Sequence, residues 1–209
     1  MPHCSQGSRR CAVATENQVE RAGVGASTHT CALPNSFGIN CEDESTRNAP
    51  RRLARVLHRL PNGTGRNPKR HLRITFPSVG EPRLIIATGI TFTSVCEHHV
   101  LPFSGHATVG CLPSPGAFVI GISKLARIVR EYAARPQTQE RIGEQVVAAL
   151  VDCLDVQGAG CVLRASHVCM ARPRGARAQG AHVTTEHLRG AFSYDAALRD
   201  CLFDAEAVR

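Results

Sequence analysis

The sequence is poor in aromatic residues and in lysine. It has no Trp, two Tyr and seven Phe, and its only lysines are Lys69 and Lys124. Proteins that bind single-stranded nucleic acid stack the bases on aromatic side chains beside a basic groove. Because no basic run in this chain is interleaved with aromatics, we expect no nucleic-acid partner.

Long apolar runs are also absent. The chain has no stretch of about 18 apolar residues, the length that a transmembrane helix needs, and no apolar signal-peptide core at its N-terminus. We therefore expect a soluble, cytoplasmic protein without a membrane partner. In that compartment its ten cysteines indicate metal ligands or buried thiols rather than disulfides. Three of them lie in apolar contexts and are predicted to be core residues: Cys111, Cys153 and Cys161.

Positive charge is confined to one part of the chain. Residues 1–50 carry four Arg and five acidic residues, a net charge of −1, whereas residues 51–209 carry 21 basic and 12 acidic residues, a net charge of +9. Such an excess indicates an anionic partner. A small polyanion such as a nucleoside triphosphate fits this excess.

The pattern of apolar residues predicts two regions. Residues 1–45 are rich in Gly, Ser, Thr and Asn without helical or strand periodicity, which predicts a disordered or poorly ordered tail. Residues 46–209 are predicted to form one α+β domain, an antiparallel sheet covered by a helix pair and preceded by an N-terminal helix. Helices are predicted to begin near Asn48, Ser123 and Gln137, and strands to cover 71–76, 84–87, 90–95, 107–112, 118–120, 161–170 and 182–185.

Two short clusters contain the residue types that bind zinc. Cys96-Glu97-His98-His99 is followed about seventy residues later by His167-Val168-Cys169. A structural zinc site has four protein ligands, whereas a catalytic one keeps three and leaves a position for water. Cys96 meets His99 if the chain turns there, and meets His98 if it stays extended. A structural zinc site, or histidines hydrogen-bonded in a core, remains the alternative.

Other positions suit a nucleotide. Ser123 and Lys124 at a helix start offer a hydroxyl, an ammonium and free backbone N–H groups to phosphate. Glu140, beside Gln139 in the first turn of the next helix, can accept two N–H bonds from a guanine edge. The alternatives are an ordinary N-cap at Ser123 and a favourable helix-dipole contact at Glu140. Arginines can hold phosphate bidentately, and the candidates are Arg127, Arg172 and Arg174.

Read in order, these pieces resemble one family. The matching motifs are Cys96-Glu97-His98-His99-Val-Leu-Pro-Phe, Ile120-Gly121-Ile122-Ser123-Lys124-Leu-Ala-Arg127, Arg135-Pro136-Gln137-Thr-Gln139-Glu140-Arg141, and His167-Val-Cys169-Met170 with Arg174-Gly175. Together they closely resemble GTP cyclohydrolase I over about residues 48–203.

The resemblance implies a complete site. Cys96, His99 and Cys169 match the family's zinc ligands, one ion per subunit, which favours the turn, and His98 and His167 match its catalytic histidines. The substrate-binding positions are matched by Gln139 and Glu140 for guanine and by Ser123, Lys124, Arg127 and Arg174 for the triphosphate. The family converts GTP to 7,8-dihydroneopterin triphosphate with loss of formate. It has the tunnelling fold, assembled as a homodecamer of two pentamers.

The resemblance has limits. Residues 1–45 do not resemble the family's N-terminal helical segment, and the spacing from Cys169 to the Arg-Gly pair is one residue longer than usual, so Arg172 or Arg174 faces the phosphate. A paralogue serving 7-deazaguanine or specialised-metabolite synthesis would use the same chemistry. A non-catalytic zinc- or nucleotide-binding relative is the other alternative.

Overall fold

The computed structural model describes residues 32–59, 63–77, 80–81, 83–171 and 180–207. The chain forms two compact units that divide between residues 59 and 60. In the first unit, residues 32–36 are helical (α1) and Ala49–Arg59 forms helix α2, which begins where Asn48 and Pro50 predicted it. The domain boundary at 45/46, and order or disorder over 1–45, stay predictions.

The second unit has most of its strands in two runs, one before and one after a pair of helices, and it ends in two further helices. A 3₁₀ helix (Pro68–Leu72) is followed by β1 (Thr75–Pro77), β2 (Ile85–Cys96), β3 (Pro102–Pro113), β4 (Phe118–Ile120), α3 (Ser123–Ala133), β5 (Pro136–Gln137), α4 (Gln139–Cys153), β6 (Val156–His167), β7 (Val183–Gly190), α5 (Ala191–Tyr194) and α6 (Ala196–Ala207). The predicted order of strands, two helices and strands is confirmed. The predicted α+β class holds, because the helices and the sheet occupy separate parts of the chain.

The main sheet has five strands in the order β5-β2-β3-β6-β7, and β1 pairs with β4 in a separate two-stranded sheet. The three long central strands and β7 are antiparallel, whereas the two-residue β5 runs parallel to β2. The predicted strand over 71–76 is wrong for residues 71–74, because a 3₁₀ helix runs to Leu72; Asn67 caps this helix through its side chain, and Pro68 suits its first turn. The strand begins only at Thr75.

A β-bulge lies inside β2. Ala87 pairs with Val109 and Ile90 pairs with Ala107, so β2 has one more residue than β3 across this interval. Gly89 within the interval has φ +70°, a conformation that glycine adopts without a steric penalty. The two strands predicted over 84–87 and 90–95 are therefore one bulged strand.

Helices cover both faces of the sheet. The larger core lies between one face and helices α3 and α4, and includes Phe103, Leu125, Ile142 and Leu163. Helices α5 and α6, which the sequence did not predict, contribute Phe192 and Leu202 to a smaller core with Val162. Within the described residues, no helix has the length and apolar character needed to cross a bilayer.

The predicted cysteine positions are confirmed in part. Cys111 and Cys161 are buried in the larger core. The prediction for Cys153 is wrong, because this residue is the last of α4 and is exposed. Its apolar neighbours in sequence lie on the inner face of the helix, whereas its own position faces outward.

Candidate metal centre and active site

Cys96 and His99 are brought together by the turn between β2 and β3. The Val100 N–H donates to the Cys96 carbonyl at 2.8 Å, and the Cys96 N–H donates to the Leu101 carbonyl at 2.8 Å. Val100 has φ +56°, which is uncommon for a β-branched residue and marks a tight reversal. As a result His99 Nδ1 lies 3.7 Å from Cys96 Sγ. The chain therefore turns here rather than staying extended.

Cys169 lies just beyond the end of β6. The strand stops at His167, and the Met170 N–H then donates to the His167 carbonyl at 3.0 Å. The predicted strand to Met170 is therefore wrong at its end, and His167 and Cys169 do not share one face of a strand. The turn instead directs Cys169 toward the loop that carries Cys96.

The three residues form a compact donor set. The ligand atoms of Cys96, His99 and Cys169 all lie within 4.8 Å of one another, with Cys96 buried, Cys169 half-buried and His99 exposed. Bond lengths of about 2.3 Å for Zn–S and 2.0 Å for Zn–N put ligand atoms of a tetrahedral ion roughly 3.5–3.8 Å apart. The observed spacing and the two-sulfur, one-nitrogen set fit zinc.

His167 is held in a defined environment beside this cluster. Its ring stacks on Phe103 with centroids 4.5 Å apart and planes 4° from parallel. Burial lowers the pKa of His167, and the charge of Glu140 partly opposes that shift. Because neutral imidazole both donates and accepts a proton, this side chain suits acid–base chemistry.

His98 has different surroundings. Its side chain is 65% exposed and its Nε2 lies 3.8 Å from Glu97 Oε1. Its ring centroid is 6.4 Å from that of His99, with the two planes perpendicular. The rings of these two adjacent histidines therefore lie edge to face and are not stacked.

The start of α4 carries the pair predicted to read guanine. Thr138 caps this helix by accepting from the Arg141 N–H, and Glu140 is exposed in the first turn. The Gln139 side chain is only 1% exposed, and its Oε1 lies 2.8 Å from His167 Nε2. The amide of Gln139 is thus hydrogen-bonded to another residue of the protein. Guanine recognition by Gln139 stays a prediction.

The sequence did not single out Glu97 and Arg141 as a pair. Arg141 in α4 makes a bidentate ion pair with Glu97 in the metal-binding turn. The two residues are 44 positions apart, so no helical or strand spacing in the sequence could have indicated their contact.

The predicted phosphate-binding residues lie at the start of α3. Ser123 is the first helical residue, Ile122 occupies the N-cap position, and no side chain caps the helix. The alternative interpretation of Ser123 as an ordinary N-cap is therefore wrong, and Ser123 is exposed. The side chains of Ser123, Lys124 and Arg127 make no hydrogen bond or ion pair with another residue in the described ranges. Arg172 and Arg174 lie outside the described residues.

Comparison with known proteins identifies the family. The family model described as GTP cyclohydrolase I matches residues 27–206, a longer stretch than the motifs covered. GTP cyclohydrolase 1 of Dehalococcoides mccartyi is 40% identical over 164 residues, which are 78% of this chain and 86% of that protein. GTP cyclohydrolase 1 of Corynebacterium glutamicum is 40% identical over 168 residues, 80% of this chain and 85% of that protein.

A solved structure gives a more distant likeness. The crystal structure of the archaeosine synthase QueF-Like in the apo form superposes with a TM-score of 0.41 and 16% sequence identity. The superposition covers 54% of this chain and 97% of that chain. The sequence relationships above are far closer, and they show that this chain is a hydrolase that belongs to the GTP cyclohydrolase I family.

Proposed function

We propose that this chain is a zinc-dependent GTP cyclohydrolase I. In the proposed reaction, water adds at C8 of GTP, C8 leaves as formate, and the remainder rearranges to 7,8-dihydroneopterin triphosphate, the first step toward folate-type pterins. The observation that carries the proposal is the convergence of Cys96, His99 and Cys169, whose ligand atoms lie within 4.8 Å, with His167 two residues from Cys169.

Cys96, His99 and Cys169 would hold one zinc ion per subunit. When bound, zinc supplies the Lewis acidity that makes water a nucleophile near neutral pH, and three protein ligands leave the position that this requires. The thiol donors come from two segments of the chain, so the loop after β2 and the turn after β6 must both be in place.

The two histidines that are not ligands would move protons. His167 is half-buried and stacked on Phe103, and in the proposed reaction it protonates the imidazole ring nitrogen as the bond to C8 breaks. His98 is exposed on the turn, where it can transfer protons during hydrolysis of the formyl group. General acid–base catalysis of this kind contributes about 10²- to 10⁴-fold.

The two helix starts would bind the nucleotide. The exposed Glu140 carboxylate would accept the N1–H and N2–H bonds of guanine, a planar bidentate arrangement. Ser123, Lys124 and Arg127, all at the start of α3, would hold the triphosphate, and the positive end of the helix dipole favours an anion there. Arg174 or Arg172 would complete the phosphate site.

We propose the tunnelling fold and a cytoplasmic homodecamer of two pentamers for this chain. Family membership supports this assembly, and so does the position of β7 at one edge of the described sheet, because an edge strand presents unpaired backbone groups to another chain. In this arrangement the sites lie at subunit interfaces.

The direct test is turnover of GTP by the purified full chain. We expect formate release and pterin fluorescence that a chelator abolishes and added zinc restores. Cys169→Ser should lose both zinc and activity, whereas Cys153→Ser, which changes an exposed cysteine at the end of α4, should keep both. Zinc binding without turnover would identify a binding protein instead. A His167→Ala variant that opens C8 at the normal rate would refute the role given to His167.

A further inference from the structure

We propose that Gln139 is a positioning residue for His167. Its side chain accepts a hydrogen bond from His167 Nε2 and so keeps one proton on that nitrogen, which leaves Nδ1 as the atom that faces proton transfer: the imidazolium gives its Nδ1 proton to the substrate and becomes the neutral ring with a bare Nδ1. This inference rests on the proposed function for its catalytic meaning, since that function makes His167 a proton carrier. The hydrogen bonds that carry it are independent of any substrate.

The orientation of the Gln139 amide is determined by two backbone carbonyls. Its Nε2 lies 3.0 Å from the carbonyl oxygen of Leu163 and 3.0 Å from that of Val183. A carbonyl oxygen can only accept a hydrogen bond, so the nitrogen and not the oxygen must face these two groups. Thr185 Oγ1, at 3.2 Å from the same nitrogen, is a further acceptor on that side.

The tautomer of His167 follows from this orientation. Gln139 Oε1 lies 2.8 Å from His167 Nε2, and an amide oxygen has no proton to give. His167 Nε2 must therefore carry the hydrogen and donate it. A neutral imidazole has one N–H only, so its Nδ1 is the bare nitrogen.

The ring is constrained in two further ways. Phe103 stacks on its face, which limits tilting, while the Gln139 hydrogen bond limits rotation within the plane of the ring. Gln139 is itself anchored to β6 through Leu163 and to β7 through Val183. Removing a residue that orients a catalytic or metal-binding side chain in this way typically lowers activity about 10- to 100-fold.

The inference and the guanine-recognition prediction for Gln139 differ in their kinetic consequence. A residue that reads guanine contributes to binding, so its loss raises KM and weakens the equilibrium binding of GTP. A residue that positions a proton carrier acts on the chemical step, so its loss lowers kcat with KM unchanged. One variant therefore separates the two.

The first experiment is steady-state kinetics of Gln139→Met in the zinc-loaded full chain. Methionine keeps the length and volume of the side chain but removes its donors and acceptor. We expect kcat to fall about 10- to 100-fold with KM and GTP binding unchanged. The control is Gln157→Met, which removes an amide that donates to the Pro113 carbonyl at 2.9 Å, remote from the site, and should keep wild-type kcat. A higher KM with unchanged kcat would overturn the inference.

The second experiment needs no turnover. Nitrogen-15 NMR of histidine-labelled protein, at a pH where imidazole is neutral, separates protonated from bare ring nitrogens, and the His167→Asn variant assigns the signals. We expect His167 to have Nε2 protonated in the wild type and in Gln157→Met, and a mixture of tautomers in Gln139→Met. The same pattern in wild type and Gln139→Met would overturn the inference. If the wild type releases no formate from GTP, the proposed function fails and the NMR result alone decides the role of Gln139.

Discussion

Arg141 holds Glu97 by two parallel hydrogen bonds, Nη1 to Oε2 at 2.5 Å and Nη2 to Oε1 at 2.7 Å. Glu97 lies between Cys96 and His98 in the turn after β2, and Arg141 lies in the first turns of α4. The Arg141 hydrogen bonds lower the pKa of Glu97. A planar bidentate pair of this kind fixes geometry as well as charge, so the metal-binding turn is tied to the helix that carries Gln139 and Glu140.

Arg141→Ala should weaken zinc binding. Without the guanidinium the turn gains freedom, so Cys96 and His99 spend less time within ligand distance of Cys169. We expect about a tenfold loss of zinc affinity, in the range seen for groups that orient metal ligands, measured by competition with a chromogenic chelator. Glu97→Gln should have a similar effect, and the double variant should be no worse than either one.

The control for this prediction is Asp152→Asn. It breaks the exposed Lys69–Asp152 ion pair, whose N···O distance is 3.0 Å, without touching the turn, and should keep wild-type zinc affinity. Equal affinities in Arg141→Ala and wild type would show that the ion pair has no part in holding the metal ligands.

Glu140→Gln should impair recognition of guanine. The substitution replaces one acceptor oxygen with an NH₂ group that faces the donors of the purine edge, so one hydrogen bond to a charged group is lost. We expect KM for GTP to rise about 10- to 100-fold, and the preference for GTP over inosine triphosphate, which lacks the 2-amino group, to shrink. Glu144→Gln changes an exposed residue one turn later on the same helix and should leave both quantities unaltered. An unchanged preference in Glu140→Gln would remove Glu140 from guanine recognition.

The sequence predicted what depends on local pattern. The 3.6-residue spacing of apolar residues located α3 and α4. The Cys-x-x-His and His-x-Cys clusters located the metal site, and the family resemblance then selected the three ligands that the structure brings together. It did not predict contacts between distant segments. The Gln139 amide donates hydrogen bonds to the carbonyls of Leu163 and Val183 in two other strands. Whether Gln139 or Glu140 points inward depends on how α4 is rotated against the sheet. That rotation is set by tertiary packing.

Gly105→Ala should destabilise the sheet strongly. A Cβ at this position would lie 2.0 Å from the Arg164 carbonyl oxygen and 2.6 Å from Ala165 Cα, so β3 and β6 would have to move apart. We expect a loss of about 3 kcal/mol in the free energy of unfolding, read from the urea midpoint at constant slope. Gly121→Ala is the matched control, because the nearest atom to its Cβ is 3.9 Å away; its unfolding free energy should change by less than about 0.5 kcal/mol. Equal midpoints for the two variants would contradict the prediction.

The cysteines should fall into two classes of reactivity. Burial raises the pKa of Cys111 to about 11 and also raises that of Cys161, and the thiolate is the reactive form. Cys153 and Cys201 are exposed. After brief alkylation of the native protein at pH 8, peptide mapping should find modified Cys153 and Cys201 and intact Cys111 and Cys161. All four should react in urea. Rapid native labelling of Cys111 would show that this part of the core opens to solvent.

Cys153 also shows the limit of sequence context for judging burial. Val151 and Leu154 on either side of it pack against the larger core, yet Cys153 is exposed because consecutive helix residues point about 100° apart.

The bulge in β2 determines which insertions and deletions in this strand are compatible with the fold. Ile85 and Ala87 before it, and Phe92 and Cys96 after it, all contact the same core, although strict alternation would put the two pairs on opposite faces. The extra residue at Gly89 thus shifts the in-and-out alternation of side chains by one position, so that residues on both sides of the bulge face the same core. Without this extra residue, the parts of β2 before and after the bulge could not both keep their present pairing with β3. Insertions and deletions in β2 are therefore compatible with metal binding only when the residues from Ile90 to Val95 keep their pairing with β3, because that pairing sets the direction of Cys96.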